Sequence, residues 1–475
     1  MSSRRAKTAV TSGSMRKRMI TPISKCTKKH KSNNYMKDWI SRLPDEILVS
    51  ILSLLGIREA ARTCVLSKRW EHVWSYKRVL NFDALQTILH LKSNRNELEV
   101  GRSRYINWVN KVVESHHGST IDEFRVSFCL NNSSSCDIDR WIEFAITKRV
   151  QRLEVDFEPW CFHRDGVAYA FTNRIYIHIK TPAGFSSIRS LRSLCFKFVN
   201  ISGEILECFV SNCPLLESLH VESSRDLVNL KVVGSSLRLK VLEISFCRHL
   251  MDLEVCAPSL VSFKYFGQGS IINMQIKDAF QLAEVSTSDF SRQIDYAFFP
   301  FSSYFSQLEN LSLGMQMTQG NRGFKQLPEF TKLKHLTLHV DADESSSFIG
   351  WTNLINASPL LHKFKLQLQY SRHWGKEKIK MHESKRRKVG NCPHGCLKEV
   401  ELAGFVGRLL DLELAKYLIK NAIKLEKITI DRHWEYSSSA RAPRVFKETK
   451  KKLYAKELAM QLQESLPARV KMEII

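Results

Sequence analysis

The 475-residue sequence predicts an α/β protein in which three short helices precede a curved solenoid with a parallel sheet. Two patterns lead to this fold class. Apolar residues recur at helical spacing between residues 43 and 74, and a motif L-x-x-L-x-Φ, where Φ is apolar, recurs eleven times from residue 121 onwards. Most starts of this motif lie 21 to 29 residues apart, which is the period of leucine-rich repeats.

The first predicted helix follows Pro44, whose missing N–H would have no intrahelical partner in a first turn. Its broad apolar face is formed by Ile47, Leu48, Ile51, Leu52 and Leu55. We expect Gly56 to end this helix.

A second helix is predicted over residues 57–66, and Ser67 is placed to cap a third. The side chains expected to face inward from the second helix are Ala60, Ala61, Cys64 and Val65. Trp70 and Trp74 share one face of the third helix. Three such short helices bury too little surface to be stable alone, so we expect them to pack against the rest of the chain.

These residues resemble a plant-type F-box. The resemblance is carried by Leu43-Pro44-Asp45-Glu46-Ile47-Leu48, by Ile51-Leu52-Ser53-Leu54-Leu55, and by Leu66-Ser67-Lys68-Arg69-Trp70 through Trp74. One departure is Gly56-Ile57, where the turn after the first helix of an F-box usually carries Pro. The alternative is an ordinary three-helix packing unit.

The resemblance implies that this unit binds the Skp-type adaptor of a cullin-RING ubiquitin ligase, while the rest of the chain selects a protein substrate. The positions expected to bind the adaptor or to support that binding are Leu43, Pro44, Ile47, Ile51, Val65 and Trp70. An alternative for Trp70 and Trp74 is that both are internal core.

The repeat motif predicts one short strand per copy, because its last two apolar positions alternate with polar ones. The copies start at residues 121, 150, 191, 216, 239, 260, 308, 333, 361, 397 and 425, with a weaker copy at 282. One such strand cannot bury its apolar side alone, whereas stacked copies form a parallel sheet with a continuous core. Outward-facing residues such as Glu217, Ser218 and His220 are then left on the concave surface, the expected recognition face.

Between residues 216 and 265 the motif occurs twice per period, with further copies at 227 and 250. Too little chain remains there for outer helices, so we expect short strands or extended turns. Residues 201–212 and 348–357 have room for outer helices.

The last part of the chain resembles an FBD domain. The resemblance rests on Cys396–Leu402, Gly404–Gly407, Glu413, Tyr417–Ala422 and Leu425–Ile430. The resemblance to plant F-box/FBD/LRR-repeat proteins then covers most of the chain, and an FBD domain capping the solenoid is the expected role. The predicted domains are a basic disordered tail (1–36), the F-box (37–83), the leucine-rich-repeat solenoid (84–390), the FBD domain (391–465) and a C-terminal tail (466–475).

The formal net charge of +24 is confined to three segments. Residues 1–37 carry +11, residues 372–388 carry +6 and residues 440–456 carry +6, which leaves the remainder almost neutral. A nucleic-acid-reading surface more often spreads its basic residues over a folded face, so this distribution argues against one. Lys385, Arg386, Arg387 and Lys388 fit a nuclear-import signal or, alternatively, a solvated loop. We expect a protein of the nucleus, the cytoplasm or both.

We expect no cofactor, no metal and no catalytic residue in this chain. Cys392-Pro393-His394-Gly395-Cys396, with His382 upstream, lacks the second ligand pair of a structural zinc site. Motifs that cradle phosphate or place a nucleophile are absent, and no apolar run is long enough for a membrane span. Two other interpretations stay open: a repeat scaffold that binds protein or nucleic acid without ubiquitination, and a receptor for a small ligand.

Overall fold

The computed structural model describes residues 39–84, 95–157, 167–267, 272–288, 299–317, 329–342, 349–370, 392–432, 450–464 and 466–475. Residues 1–44 and 45–475 form two units, which we describe separately. In the first, the described residues contain a 3-10 turn, Ile40–Arg42. The basic tail at 1–36 and the import candidates Lys385, Arg386, Arg387 and Lys388 lie outside the described residues.

The second unit begins with three helices, as predicted: α1 Asp45–Ser53, α2 Ile57–Arg62 and α3 Lys68–Val73. Two 3-10 turns, Thr63–Val65 and Trp74–Tyr76, follow α2 and α3. The predicted cap of α3 is confirmed, because Ser67 Oγ accepts the N–H of Trp70 at 3.4 Å.

Two details of this unit were predicted wrongly. Gly56 does not end α1 but stands before α2, where its N–H donates to Glu59 Oε2 at 3.0 Å. Cys64 and Val65 are exposed rather than inward. The reason is that α2 stops at Arg62, and the tighter 3-10 turn rotates the following side chains away from the core stripe of an α-helix.

A fourteen-stranded, all-parallel sheet runs through the described part of the second unit, in the order β1-β2-β3-β4-β5-β7-β9-β11-β12-β13-β14-β15-β16-β17. Its strands are β1 Val79–Asp83, β2 Glu123–Ser127, β3 Arg152–Asp156, β4 Ser193–Lys197, β5 Ser218–Glu222, β7 Val241–Ser245, β9 Ser262–Phe266, β11 Glu284–Ser288, β12 Asn310–Met317, β13 His335–Ala342, β14 Lys363–Tyr370, β15 Glu399–Ala403, β16 Lys427–Asp431 and β17 Lys471–Ile474. Each predicted repeat from residue 121 onwards supplies one of these strands, including the weak copy that becomes β11.

The strands pair in register, so each apolar position of the motif stacks on its counterpart in the next repeat. Leu194, Leu219 and Leu242 are such neighbours, and all three are completely buried. A buried leucine contributes roughly 1.5–3 kcal/mol. The core is therefore one continuous apolar row along the sheet, as the motif predicts.

The outer layer consists of helices and of a second sheet. The helices are α4 Arg95–Ser115, α5 Ser135–Thr147, α6 Asn173–Lys180, α7 Pro182–Ile188, α8 Gly203–Asn212 and α9 Ile349–Asn356. In the section with the doubled motif, β6 Asn229–Val233, β8 Asp252–Cys256 and β10 Asn273–Lys277 form a parallel sheet instead. The predicted outer helices near residues 201–212 and 348–357 and the predicted short strands of the doubled-motif section are both confirmed. Among the helices that the structure describes, none has the length and apolarity needed to cross a membrane.

The C-terminal part continues the main sheet. Helix α10, Leu409–Asn421, connects β15 to β16, and α11, Lys450–Glu464, precedes β17. Gly404 follows β15 with φ +75°, and a Cβ there would lie 2.0 Å from the carbonyl oxygen of Leu368 in the neighbouring strand. Residues 466–475, predicted as a tail, include β17. The assignment of residues 391–465 to a capping FBD domain stays a prediction.

Candidate functional site

Helix α1 carries two apolar stripes that face in different directions. Leu48 and Leu52, four residues apart, are 0% and 1% exposed and pack inward. Ile47 and Ile51, also four residues apart, are 46% and 39% exposed, and Leu54 just after the helix is 86% exposed. Among the residues that the structure describes, nothing covers these outer apolar side chains of α1. This outer side is the first part of the candidate docking site.

The turn between α2 and α3 supplies further exposed apolar side chains. Val65 and Leu66 are 83% and 64% exposed. Single exposed apolar residues are ordinary on a soluble protein, but several within a short helical unit indicate a contact surface. We call the exposed residues Ile47, Ile51, Leu54, Val65 and Leu66 the apolar docking residues.

The six residues predicted to bind the adaptor occupy different environments. Ile47, Ile51 and Val65 are exposed, whereas Trp70 is only 5% exposed and belongs to the core. Leu43 is half-buried and Pro44 is exposed, and both belong to the first unit. Trp70 is therefore suited to supporting the unit and not to direct contact. Leu54 and Leu66 were not among the predicted positions, although a leucine in a turn is itself a signal of an external partner.

A buried lysine holds the end of α1. Lys77 is 2% exposed, and its Nζ donates to the carbonyl oxygens of Leu52, Ser53 and Leu55 at 2.9, 3.0 and 2.9 Å. The last carbonyls of a helix have no intrahelical donors and favour a cation. Burial lowers the pKa of Lys77. The three carbonyl acceptors favour its charged form. Lys77 thereby ties α1 to the chain that enters β1.

A buried histidine forms a hydrogen bond with the backbone of Lys77. His116 Nε2 lies 3.0 Å from the carbonyl oxygen of Lys77, and therefore carries the proton and donates. Its Nδ1 has no hydrogen-bond partner among the described residues, and the ring meets the Phe144 ring edge to face. Burial lowers the pKa of His116 to about 4, and the charge of Lys148 acts in the same direction. His116 is thus a neutral structural residue at neutral pH.

The lowered pKa of His116 predicts acid lability. The unfolded chain takes up this proton near pH 6.5, but the folded chain does so only near pH 4, so stability is lost as the pH falls between these values. His116→Gln should flatten the pH dependence of the free energy of unfolding over this window, by at most about 1.4 kcal/mol per pH unit. The unfolding temperature of this variant should therefore fall less steeply as the pH is lowered. Differential scanning fluorimetry between pH 7 and pH 4.5 measures it. The exposed His362→Gln should leave the slope unchanged, and an unchanged slope in both variants would contradict the prediction.

The outward side of the main sheet is a polar face. Ser218 and His220 of β5 alternate with the buried Leu219 and Val221, as predicted. In register with His220 stand Cys195 on one side and Glu243 on the other. Further pairs along the same face include Arg125 with Glu154 at 3.4 Å and Lys365 with Glu401 at 2.6 Å. Both signs of charge alternate here, which suits recognition of a polar protein surface.

His220 is an enclosed titratable group on this face. Its Nδ1 lies 3.7 Å from Cys195 Sγ, and its Nε2 lies 3.3 Å from a Glu243 carboxylate oxygen. Burial, with Lys197 and Lys264 nearby, lowers the pKa of His220 to about 4. Burial also raises the pKa of the Cys195 thiol far above its ordinary value. A thiol that stays protonated is a poor nucleophile, so the Cys–His geometry does not make a catalytic pair.

The cysteine and histidine cluster near residue 394 is occupied by structural hydrogen bonds. His394 Nε2 donates to the carbonyl oxygen of Ser358 at 2.8 Å, while Nδ1 accepts the N–H groups of Cys396 and Leu397 at 3.3 and 3.1 Å. Neither ring nitrogen is left for a metal. His382 lies outside the described residues. Within the described ranges no group of three or more His, Cys, Asp or Glu side chains is arranged to hold a metal ion.

Comparisons with known proteins agree with this architecture. An F-box domain model matches residues 40–82, and a model described as At1g61320/AtMIF1, LRR domain, matches residues 112–474. The chain is therefore an F-box protein with a leucine-rich-repeat array. It belongs to the At1g61320/AtMIF1 LRR-domain family, whose model covers more than half of its length.

Several Arabidopsis thaliana proteins are similar to it. F-box/LRR-repeat protein At2g42730 is 32% identical over 243 residues, which are 49% of this chain and 52% of the relative. The chain thus matches about half the length of that relative. Putative F-box/FBD/LRR-repeat protein At5g62970 is 26% identical, with 81% of this chain and 91% of the relative covered. Putative FBD-associated F-box protein At1g61330 is 23% identical, with 87% and 95% covered.

Proposed function

We propose that this chain is the substrate-recognition subunit of a Skp–cullin–F-box ubiquitin ligase. In this proposal the F-box docks a Skp-type adaptor, which connects the chain to a cullin-RING ligase. The repeat array binds a protein substrate for ubiquitination. The observation that carries the proposal is the outer side of the F-box helices, where the apolar docking residues are exposed although the inner side of the same unit is closely packed.

Adaptor binding and substrate binding would use different surfaces of the chain. The apolar docking residues lie on α1 and in the turn before α3, within the first 22 residues of the second unit. The polar face of the sheet extends over fourteen strands and carries side chains of both charges. An apolar patch suits a permanent subunit contact, whereas a polar face suits selective recognition. A receptor that holds its ligase and its substrate at once needs both.

No bond-making step is assigned to this chain. Its contribution would be proximity, because a tethered substrate presents its lysines to the loaded conjugating enzyme at a high effective concentration. The protonated Cys195 thiol and the neutral His220 are consistent with a binding role for the polar face.

The proposal is tested by measuring adaptor binding to the full chain. Biolayer interferometry with a purified Skp-type adaptor should show binding by the wild type and at least tenfold weaker binding by Leu43→Ala/Pro44→Ala. The exposed Pro359-Leu360 pair provides a matched control, since Pro359→Ala/Leu360→Ala removes the same groups from the array. Circular dichroism should show that both variants fold. Equal binding by all three proteins would refute the assignment of the F-box.

A further inference from the structure

A groove lies between the F-box and the first helix of the repeat array. It has a volume of about 390 Å³ and is bordered by α2 on one side and α4 on the other. Trp74 and Trp108 supply its aromatic surface, and both are partly exposed. The groove is separate from Ile47, Ile51 and Leu54, which lie on α1 and its end.

The charge of the groove has one sign. Its described lining residues include three cations, Arg58, Arg62 and Lys111, and no acid. All three side chains are exposed. The guanidinium carbon of Arg58 lies 4.3 Å from the centroid of the Trp108 ring, so the aromatic face holds this cation in place. Three cations beside an apolar wall create a positive potential that attracts an anion.

The size of the groove favours a small ligand. The lining residues of α4 run from Trp108 to Ser115, which corresponds to about 10 Å along the helix axis. A volume of about 390 Å³ falls in the range of small-molecule sites. A stable protein contact needs about 800 Å² from each partner, far more than a 10 Å groove offers.

We infer that this groove binds a small organic phosphate that carries a planar ring. Arg62 and Lys111 would hold the phosphate oxygens together with Arg58, because guanidinium groups match phosphate with paired hydrogen bonds. The indole of Trp74 would pack against the ring, while Trp108 keeps Arg58 in place. The inference does not depend on adaptor binding, since the groove uses the side of α2 that faces the array.

Occupation of the groove has a structural consequence. A ligand that contacts α2 and α4 together joins the F-box to the first helix of the array. Anything that binds the folded state alone raises its stability. The bound protein should therefore unfold at a higher temperature, and the amides of α2 should exchange more slowly.

The test uses the full chain at low ionic strength and three probes. Adenosine 5′-diphosphate carries ring and charge, adenosine carries the ring alone, and inorganic tripolyphosphate carries the charge alone. Isothermal titration calorimetry should show adenosine 5′-diphosphate binding at least tenfold more tightly than either of the others. Binding of adenosine 5′-diphosphate should also quench the tryptophan fluorescence and raise the unfolding temperature.

Variants locate the site. Arg62→Ser/Lys111→Ser should weaken adenosine 5′-diphosphate binding at least tenfold, whereas Arg62→Lys/Lys111→Arg should retain it. The control Arg238→Ser/Lys332→Ser removes two exposed cations elsewhere and should change nothing. All these side chains are exposed, so each variant should keep the wild-type unfolding temperature without ligand. Absence of binding at millimolar probe, equal binding of tripolyphosphate, or unchanged binding by Arg62→Ser/Lys111→Ser would each overturn the inference.

Discussion

Ile47→Asp/Ile51→Asp is expected to abolish binding of the Skp-type adaptor, raising the Kd at least a hundredfold. The two side chains occupy successive turns on the outer side of α1, at 46% and 39% exposure. If both are buried in the complex, each substitution removes apolar area and also places a carboxylate where it cannot be solvated. Interface anchors commonly cost about 2 kcal/mol or more each, and about 2.7 kcal/mol is a hundredfold.

The fold should survive this change. The inner stripe of α1, Leu48 and Leu52, is untouched, and the outer side chains are already in water. Surface substitutions of this kind usually alter the free energy of unfolding by about 0.5 kcal/mol or less. Loss of binding can therefore be attributed to the lost contact and not to unfolding.

The measurement is a titration of purified adaptor against wild type and variant, with thermal unfolding recorded for both. Ile177→Asp is the matched control, because Ile177 is 64% exposed on α6, outside the F-box. It should bind as the wild type does. Wild-type affinity in Ile47→Asp/Ile51→Asp would show that the outer side of α1 is not the docking surface.

The repeat array was predictable because its signal is local. A five-residue strand with two alternating apolar positions shows which side of the strand is buried. A leucine three residues before the first apolar position marks the turn that precedes the strand. The strands at both ends of the sheet lack this marker. Lys77 stands three residues before Leu80 of β1, and Arg469 stands three residues before Met472 of β17. Without the leading leucine, neither strand was recognised.

The proposed docking surface was only partly predictable, for a different reason. The apolar pattern of α1 shows that Ile47, Leu48, Ile51 and Leu52 form a broad stripe, but not which half faces the protein. That choice depends on how α2, α3 and the chain entering β1 pack, which is tertiary information. The exposure of Val65 likewise follows from the early end of α2 at Arg62, and helix ends are the least certain feature of a sequence pattern.

The position of Lys77 explains how an F-box can be attached to a repeat array. In the repeats that start at residues 121 to 425 this position carries an apolar residue that fills the core, such as Leu191 or Leu216. Lys77 is equally buried, but its ammonium group extends out of the repeat to the last carbonyls of α1. The first repeat thus has a lysine where those repeats have an apolar core residue, and this lysine forms hydrogen bonds to the end of α1 in the F-box.

Lys77→Met is therefore expected to lower the free energy of unfolding by about 2–4 kcal/mol, since it leaves three carbonyls without their charged donor. The amides at the end of α1 should exchange faster, and adaptor binding should weaken because Ile51 and Leu54 lose their fixed position. Lys240→Met is the control: Lys240 forms an exposed ion pair with Glu217 at 3.0 Å, and exposed pairs contribute about 1 kcal/mol or less.

Lys77→Leu separates the two roles of this position, because it restores the side chain of the other repeats while removing the hydrogen bonds. If the site needed only apolar volume, this variant would match or exceed wild-type stability. If the ammonium holds α1, Lys77→Leu should be destabilised almost as much as Lys77→Met, and hydrogen exchange should localise the loss to residues 51–56. Thermal unfolding of the three variants beside the wild type decides between these outcomes, and wild-type stability of Lys77→Leu would show that α1 is held by packing alone.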